Sequence, residues 1–238
     1  MKKVAAVVAA LNEEHRIGAV LEAIIAADMI DEIIVVSDGS TDRTAEVANS
    51  YAGVRTFTLP YNIGKGGAMW HGVQQTDAGV LVFLDADLIG LRSEQVCQLV
   101  RPILEGDADM TIGVFRGGRW WSDLSQRLVP YVSGQRAVKR EIFLDVPHID
   151  SARMGVEIAL TTYAKSHKLS VKPIFLEGVT HPMKEQKLGL ARGLAGRMKM
   201  YWEISAYVAR QRLNYKLNGH KNHHPANPHH HTNNNHHQ

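Results

Sequence analysis

Val80-Leu81-Val82-Phe83-Leu84-Asp85-Ala86-Asp87 is a short apolar run that ends in two acids. Its length and its Val and Leu content are those of a buried strand. At a strand end, residues two apart project to the same side, so the carboxylates of Asp85 and Asp87 converge. Left alone they repel, and one of them resists ionisation. A hard divalent cation relieves that repulsion, and cation plus carboxylates can hold a diphosphate. The plain alternative is a pair of surface acids ahead of a helix that opens at Ser93.

Towards the N-terminus the same kind of run recurs at Val4–Ala10, Glu32–Ser37 and Val54–Leu59. Between these runs, Ile17–Ala27, Thr41–Tyr51 and Lys65–Thr76 have helical spacing and alanine content. The alternation predicts an α/β protein with a mostly parallel central sheet, covered by helices on both faces. Ligands of such sheets bind at the carboxyl ends of the strands. Leu11-Asn12-Glu13-Glu14 follows the first strand, and Asp38-Gly39-Ser40 follows the second. Ser40 or Thr41 suits a helix N-cap and Gly39 a tight turn. That capping role does not require Asp38, whose carboxylate can accept a hydrogen bond from a nucleobase. After the third strand, Asn62-Ile63-Gly64-Lys65-Gly66-Gly67 combines glycines that allow close backbone approach with a cation near a helix start. Its spacing is not that of a Walker A loop, and a glycine-rich turn with an exposed lysine explains it equally.

Towards the C-terminus, Ser93–Leu104 predicts a helix, Met110–Gly113 a strand and Phe115–Trp121 a loop rich in Gly, Arg and Trp. Glu157–His167 predicts another helix and Ser170–Leu176 another strand. From Lys184 to about Asn214, Leu190, Leu194, Met198, Tyr201 and Val208 make one helical stripe. His220–Gln238 holds eight of the thirteen histidines and nothing that could form a core, so disorder is expected there. These features divide the chain into a main unit at 1–181, with halves 1–92 and 93–181, a helical segment at 182–217 and a tail at 218–238.

The net charge is +3, yet residues 182–217 carry +6 and residues 1–181 sum to −4. A uniformly basic nucleic-acid binder is therefore disfavoured. This basic segment could lie on an anionic membrane surface, or its apolar stripe could pack on the main unit or form a homodimer. Hydrophobic residues make up 45% and charged residues 21%, which excludes wholesale disorder. The lone Cys97 excludes a disulfide framework and a cysteine-rich zinc module. No apolar stretch approaches the ~20 residues that span a bilayer, and the opening residues lack a cleavage pattern. The expectation is a cytoplasmic protein, with peripheral contact at the membrane's inner face as the alternative.

Taken together, Asn12-Glu13-Glu14, Asp38-Gly39-Ser40, Asn62-x-Gly64-Lys65-Gly66 and Asp85-x-Asp87-Leu88 resemble the donor half of a family 2-type glycosyltransferase. The likeness covers roughly residues 3–92. It implies the GT-A (nucleotide-diphospho-sugar transferase) fold and a nucleoside diphosphate sugar as donor. By it, Glu13 and Asp38 hold ribose and base, with Leu11, Asn12 and Ala86 lining the same site. Lys65 lies near base or diphosphate, Asp85 near ribose and sugar, and Asp87 on a metal.

The second half extends the resemblance. Ser133-Gly134-Gln135-Arg136-Ala137-Val138-Lys139-Arg140-Glu141 is similar to the acceptor-side segment of bacterial family 2 enzymes, including polyprenyl-phosphate glycosyltransferases. Those more often carry an aromatic residue where Gln135 stands. Gly155-Val156-Glu157-Ile158-Ala159-Leu160 and Gly178-Val179-Thr180-His181 resemble glucosyl-3-phosphoglycerate synthases. The likeness places Gly134, Gln135 and Arg136 at the acceptor, joined by Arg116 and Arg119 of the loop. It puts Glu157 in the sugar and acceptor site, and His181 beside Asp87 as a ligand of Mg²⁺ or Mn²⁺. Each has a plainer explanation: a histidine at a loop edge, a glutamate favoured by a helix dipole, and Trp120 and Trp121 packing under the sheet.

The implied activity is metal-dependent transfer of a sugar from a UDP- or GDP-sugar to a small-molecule or lipid-phosphate acceptor, with Asp85, Asp87 and Glu157 catalytic. Lys65 or Arg136 would add positive charge. An inverting reaction on a hydroxyl needs a base, for which Glu157 or Asp150 qualifies. A phosphate acceptor or a retaining reaction does not. A sugar-1-phosphate nucleotidyltransferase is one rival, though Leu11-Asn12-Glu13-Glu14 replaces its Gly- and Arg-rich loop. A non-catalytic nucleotide-sugar-binding protein is the other, and the intact Asp85/Asp87 pair speaks against it.

Overall fold

Successive residues of the first strands enter opposite cores, because side chains alternate across a pleated sheet. In the computed structural model, which describes residues 2–116, 133–152 and 155–182, β1 spans Val4–Ala10 and β2 spans Glu32–Asp38. Val4, Ala6, Val8, Ile33 and Val35 face one core, while Ala5, Val7, Ile34 and Val36 face the other. With both faces buried, β1 and the centre of β2, Ile33 to Val36, are apolar without alternation.

Seven strands form one sheet in the order β3-β2-β1-β4-β6-β5-β7. β3 is Val54–Leu59, β4 Val80–Phe83, β5 Met110–Arg116, β6 Arg136–Lys139 and β7 Val171–Glu177. β1 pairs in parallel with β2 and β4, and β2 with β3. β6 runs antiparallel to both its neighbours, and β5 is parallel to β7. The carboxyl ends of β1 to β4 therefore open on one edge.

Helices cover both faces. α1 (Ile17–Ile25), α2 (Thr44–Asn49) and α4 (Ser93–Leu104) bury Val20, Leu21, Ile24, Ala48, Leu99 and Ile103 in the first core. α3 (Lys65–Val73), α5 (Arg140–Asp145) and α6 (Val156–Ser166) bury Met69, Val73, Phe143, Ala159 and Leu160 in the second. Each fully buried Leu or Ile adds about 2 kcal/mol relative to exposure, so the strand tips are carried on a rigid base.

Three expectations are corrected. β6 and α5 lie in a segment read only for chemistry; four residues with two cations carry too little apolar pattern to announce an interior strand. β5 runs on through Phe115 and Arg116, expected in a loop, because it pairs in register with β7 as far as Arg116↔Glu177. α2 begins at Thr44 and not at Thr41, and Asp42 Oδ1 accepts from Thr44 N at 3.0 Å. Thr41 instead donates its N–H to Asn12 Oδ1 at 2.8 Å. The rest of the Gly-, Arg- and Trp-rich loop, the helix expected at 184–214 and the tail lie outside the described residues. So do the expectations of membrane contact and a homodimer, which rest on 182–217. Among the described residues, no helix is long and apolar enough to cross a membrane.

Candidate active site

The tip of β4 carries the acids. Ala86 is buried at 3% in the first core, so its neighbours Asp85 and Asp87 face the other way. The chain then forms a bridge: Ile89 N donates to Thr180 O at 2.9 Å, and Thr180 N to Ile89 O at 3.0 Å. Gly90 sits beside it with φ of 78°, and a Cβ there would lie 2.4 Å from Gly178 O. Only glycine fits that approach. The bridge delivers the residue after Thr180 to the acids.

His181 Nδ1 lies 3.0 Å from Asp87 Oδ1, and its Nε2 3.6 Å from Asp85 Oδ2. Phe115 meets the imidazole edge-on at 5.0 Å between centroids and fixes the ring plane. One ligand atom from each of Asp85, Asp87 and His181 lies within 4.8 Å of the others. Two carboxylate oxygens and an imidazole nitrogen, with no thiolate, form a donor set suited to Mn²⁺ or Mg²⁺. The residues present therefore fit such an ion.

The other side of Asp85 faces a cation. Lys65, the first residue of α3, places Nζ 2.5 Å from Asp85 Oδ1 and 2.5 Å from Glu157 Oε1. Glu157 stands in the first turn of α6. Burial by itself disfavours the Lys65 charge, but the two carboxylates outweigh it and lift the ammonium above the ordinary lysine range. Burial likewise pushes the Asp85 carboxyl up; Lys65 and, less strongly, His181 outweigh it and hold the acid below its ordinary value.

Gly134 and Gln135 complete the enclosure. A Cβ on Gly134 would lie 2.5 Å from Asp85 Oδ2 and 2.6 Å from Lys65 Nζ, so the backbone itself closes over the pair. Gln135 is fully buried and donates from Nε2 to Asp85 Oδ2 at 2.8 Å. Ser133 Oγ donates to Gly113 O at 2.5 Å and lies 3.1 Å from Gln135 Oε1.

Asp38 holds a loop in place. It is 4% exposed, and its two oxygens accept from Ile63 N at 2.7 Å and Gly64 N at 2.9 Å. The carboxylate expected at a base thus grips the glycine-rich turn that leads into Lys65. Asn12, with φ of 56°, and Glu13 tie the end of β1 to the segment after β2, since Glu13 N donates to Thr44 Oγ1 at 2.8 Å. Glu13 also faces Arg16 at 3.7 Å, and Leu11 is exposed.

Arg136, expected at the acceptor, and Asp150, a candidate base, have these places in the structure. Arg136 is 1% exposed, with Nε donating to Ser133 O at 2.8 Å and Nη1 to Thr161 Oγ1 at 2.7 Å. Its guanidinium is enclosed by protein and feels the charge of Glu157. Asp150 sits in a short 3-10 turn, Ile149–Ser151, whose backbone packs on α3 at Gly67. Arg116 ends β5, and Arg119 lies outside the described residues. Sequence reasoning missed Thr161, for which a hydroxyl inside a helix gives no signal, and the Ile89–Thr180 bridge.

The sequence model of Glycosyl transferase family 2 matches residues 5–157. A glucosyl-3-phosphoglycerate synthase of Mycobacterium tuberculosis is 30% identical over 196 residues, covering 67% of this chain and 60% of the relative. The chain thus spans about three fifths of the length of that relative. A 4,4'-diaponeurosporenoate glycosyltransferase of Staphylococcus aureus is 36% identical over 103 residues, covering 42% of this chain and 28% of the relative. Among solved structures, the Mycobacterium tuberculosis synthase with Mn²⁺, uridine diphosphate and phosphoglyceric acid superposes with a TM-score of 0.65 at 28% identity. That match covers 84% of this chain and 78% of the other. The same enzyme with Mg²⁺ and uridine diphosphate also has a TM-score of 0.65, at 29% identity over 84% of this chain and 79% of the other.

Proposed function

Because the chain belongs to glycosyl transferase family 2 and has its GT-A fold, we propose that it moves a sugar from a uridine diphosphate sugar to a small phosphorylated acceptor. The observation that carries this reading is the Asp85, Asp87 and His181 cluster at the tip of β4, with Lys65 and Glu157 alongside. Support for the donor comes from the related synthase, whose structures hold uridine diphosphate with Mn²⁺ or Mg²⁺. Support for the acceptor comes from the phosphoglyceric acid and glycerol 3-phosphate in structures of the same synthase.

Asp87 and His181 would hold the ion, with Asp85 beside it. When bound, a divalent ion neutralises the diphosphate as the bond to the sugar breaks. Lys65 supplies a second positive charge at that edge, and its paired carboxylates keep it fixed and protonated. Asp38 orders the glycine-rich turn against which the nucleoside lies. Glu157, across from Asp85, meets the sugar or acceptor hydroxyls. Residues 1–181 form the transferase unit on this reading, and 182–217 and 218–238 are appendages to it.

The test is release of uridine diphosphate from UDP-glucose by the purified chain, with Mn²⁺ or with EDTA, and with or without 3-phosphoglycerate. Metal-dependent release that the acceptor accelerates is expected. Pyrophosphate release from UTP plus glucose 1-phosphate would favour a nucleotidyltransferase. No turnover of any nucleoside diphosphate sugar would overturn the proposal.

A further inference from the structure

Arg136 is the largest fully buried side chain among the described residues. It stands on β6, an interior strand between β4 and β5. Removing a guanidinium from water costs several kcal/mol unless charge and hydrogen bonds offset it. Here they do. Its neighbourhood holds two cations, Lys65 and Arg136, against two carboxylates, Asp85 and Glu157. Burial pushes the guanidinium down to about 10, and Glu157 and then Asp85 oppose that fall.

We propose that Arg136 is a positioning residue, which holds Asp85 and Glu157 on opposite sides of Lys65 through two hydrogen-bonded arms. This rests on the transferase reading of the same site. The first arm runs from Nε to Ser133 O at 2.8 Å, fixing the segment from which Gln135 reaches Asp85 Oδ2 at 2.8 Å. The second runs from Nη1 to Thr161 Oγ1 at 2.7 Å, and Thr161 Oγ1 donates in turn to Glu157 O at 2.8 Å. The hydroxyl accepts from Arg136 and gives its one proton to Glu157 O, two roles that its chemistry allows together. A planar fork directs both arms at fixed angles, which a lysine ammonium on its flexible stem does not. The antiparallel β6 thereby couples the donor edge of the sheet to the helix that carries Glu157.

Arg136→Lys keeps the charge and loses the fork, and Thr161→Val cuts the second arm while leaving the buried cation in place. Two measurements are made on the full chain. In turnover of UDP-glucose with Mn²⁺, both variants are expected to lower kcat by about ten-fold or more, since small misplacements at a reacting centre have large effects. The Kd for uridine diphosphate with Mn²⁺ should stay within about two-fold of wild type. In hydrogen exchange followed by mass spectrometry, Arg136→Lys should raise exchange in peptides covering 133–139 and 156–166, with β1 and β2 unchanged. Thr161→Val should raise it in 156–166 alone.

Wild-type kcat in both variants, or a rise in exchange spread evenly over the chain, would overturn the proposal. If the wild-type chain turns over no nucleotide sugar, the transferase reading fails, and local exchange still decides whether Arg136 orders these two segments.

Discussion

Lys65 and Glu157, ninety-two positions apart in the chain, meet with Nζ 2.5 Å from Oε1. One opens α3, on the parallel part of the sheet; the other stands in α6, past the antiparallel β6. Asp85 takes the other side of the same ammonium at 2.5 Å. One cation between two partly buried carboxylates is held more tightly than any exposed pair, because screening by water is weak there. The contact joins the donor half of the chain to the half that presents Glu157.

Asp87→Asn and His181→Ala are expected to weaken Mn²⁺-dependent binding of uridine diphosphate by at least about ten-fold, the smallest effect usual for groups that only support a ligand. Both side chains are partly exposed at the rim, with 25% and 39% of their surface accessible, so the melting temperature should move little. Isothermal titration with and without Mn²⁺ reads the first quantity and thermal denaturation the second. Unchanged metal dependence in both variants would remove the metal assignment.

Gly134→Ala should be far more damaging than its one added methyl suggests. The Cβ would stand 2.5 Å from Asp85 Oδ2 and 2.6 Å from Lys65 Nζ, so one of the two must move. Overpacking of this kind costs about 1–3 kcal/mol. Turnover should fall by more than the loss in stability explains, since the displaced groups are those of the site. Denaturant unfolding beside kcat checks both, and wild-type values for the two would show that the backbone yields.

Asp38→Asn exchanges one acceptor for an amide donor that confronts a backbone N–H. Asp38 is 4% exposed and accepts from Ile63 N and Gly64 N, so a loss of about 2–4 kcal/mol is expected. Nucleotide affinity should fall with it, because the freed turn precedes Lys65. A variant as stable as wild type in urea would show that the loop is held by other contacts.

Asp109 gives the acid dependence a sign. The hydrogen bond from Lys139 and that from Ser170 N–H outweigh burial and hold its carboxyl below the ordinary 3.8. A group with a depressed folded value contributes stability above its unfolded value and loses it as pH falls through the folded one. Wild type should therefore exceed Asp109→Asn in stability at pH 7, and the gap should close below about pH 4. Thermal melts of both proteins from pH 7 to pH 3 measure it; a gap that stays constant would rule out this carboxylate as a source.

Legibility followed distance along the chain. β1 to β4 stand within a residue of where their apolar runs place them; β1 and β4, covered on both faces, have no polar positions to blur them. Asp85 and Asp87 were legible as a pair because a period of two puts both on one side. β6 was not, since two of its four residues are charged and its strand form comes from the neighbours that bond to it. The glutamine preceding it donates to Asp85, a contact that no local pattern announces.

By itself the sequence determined the four parallel strands β1 to β4, the helices between them and the edge where acids, glycines and a lysine gather, because these follow from side-chain periodicity over a few residues. Only the tertiary structure decided that His181 reaches Asp87, that Lys65 joins Asp85 to Glu157, and that Arg136 turns inward. Those contacts span tens of residues, and no local period encodes them; they exist because strands from distant parts of the chain share one sheet.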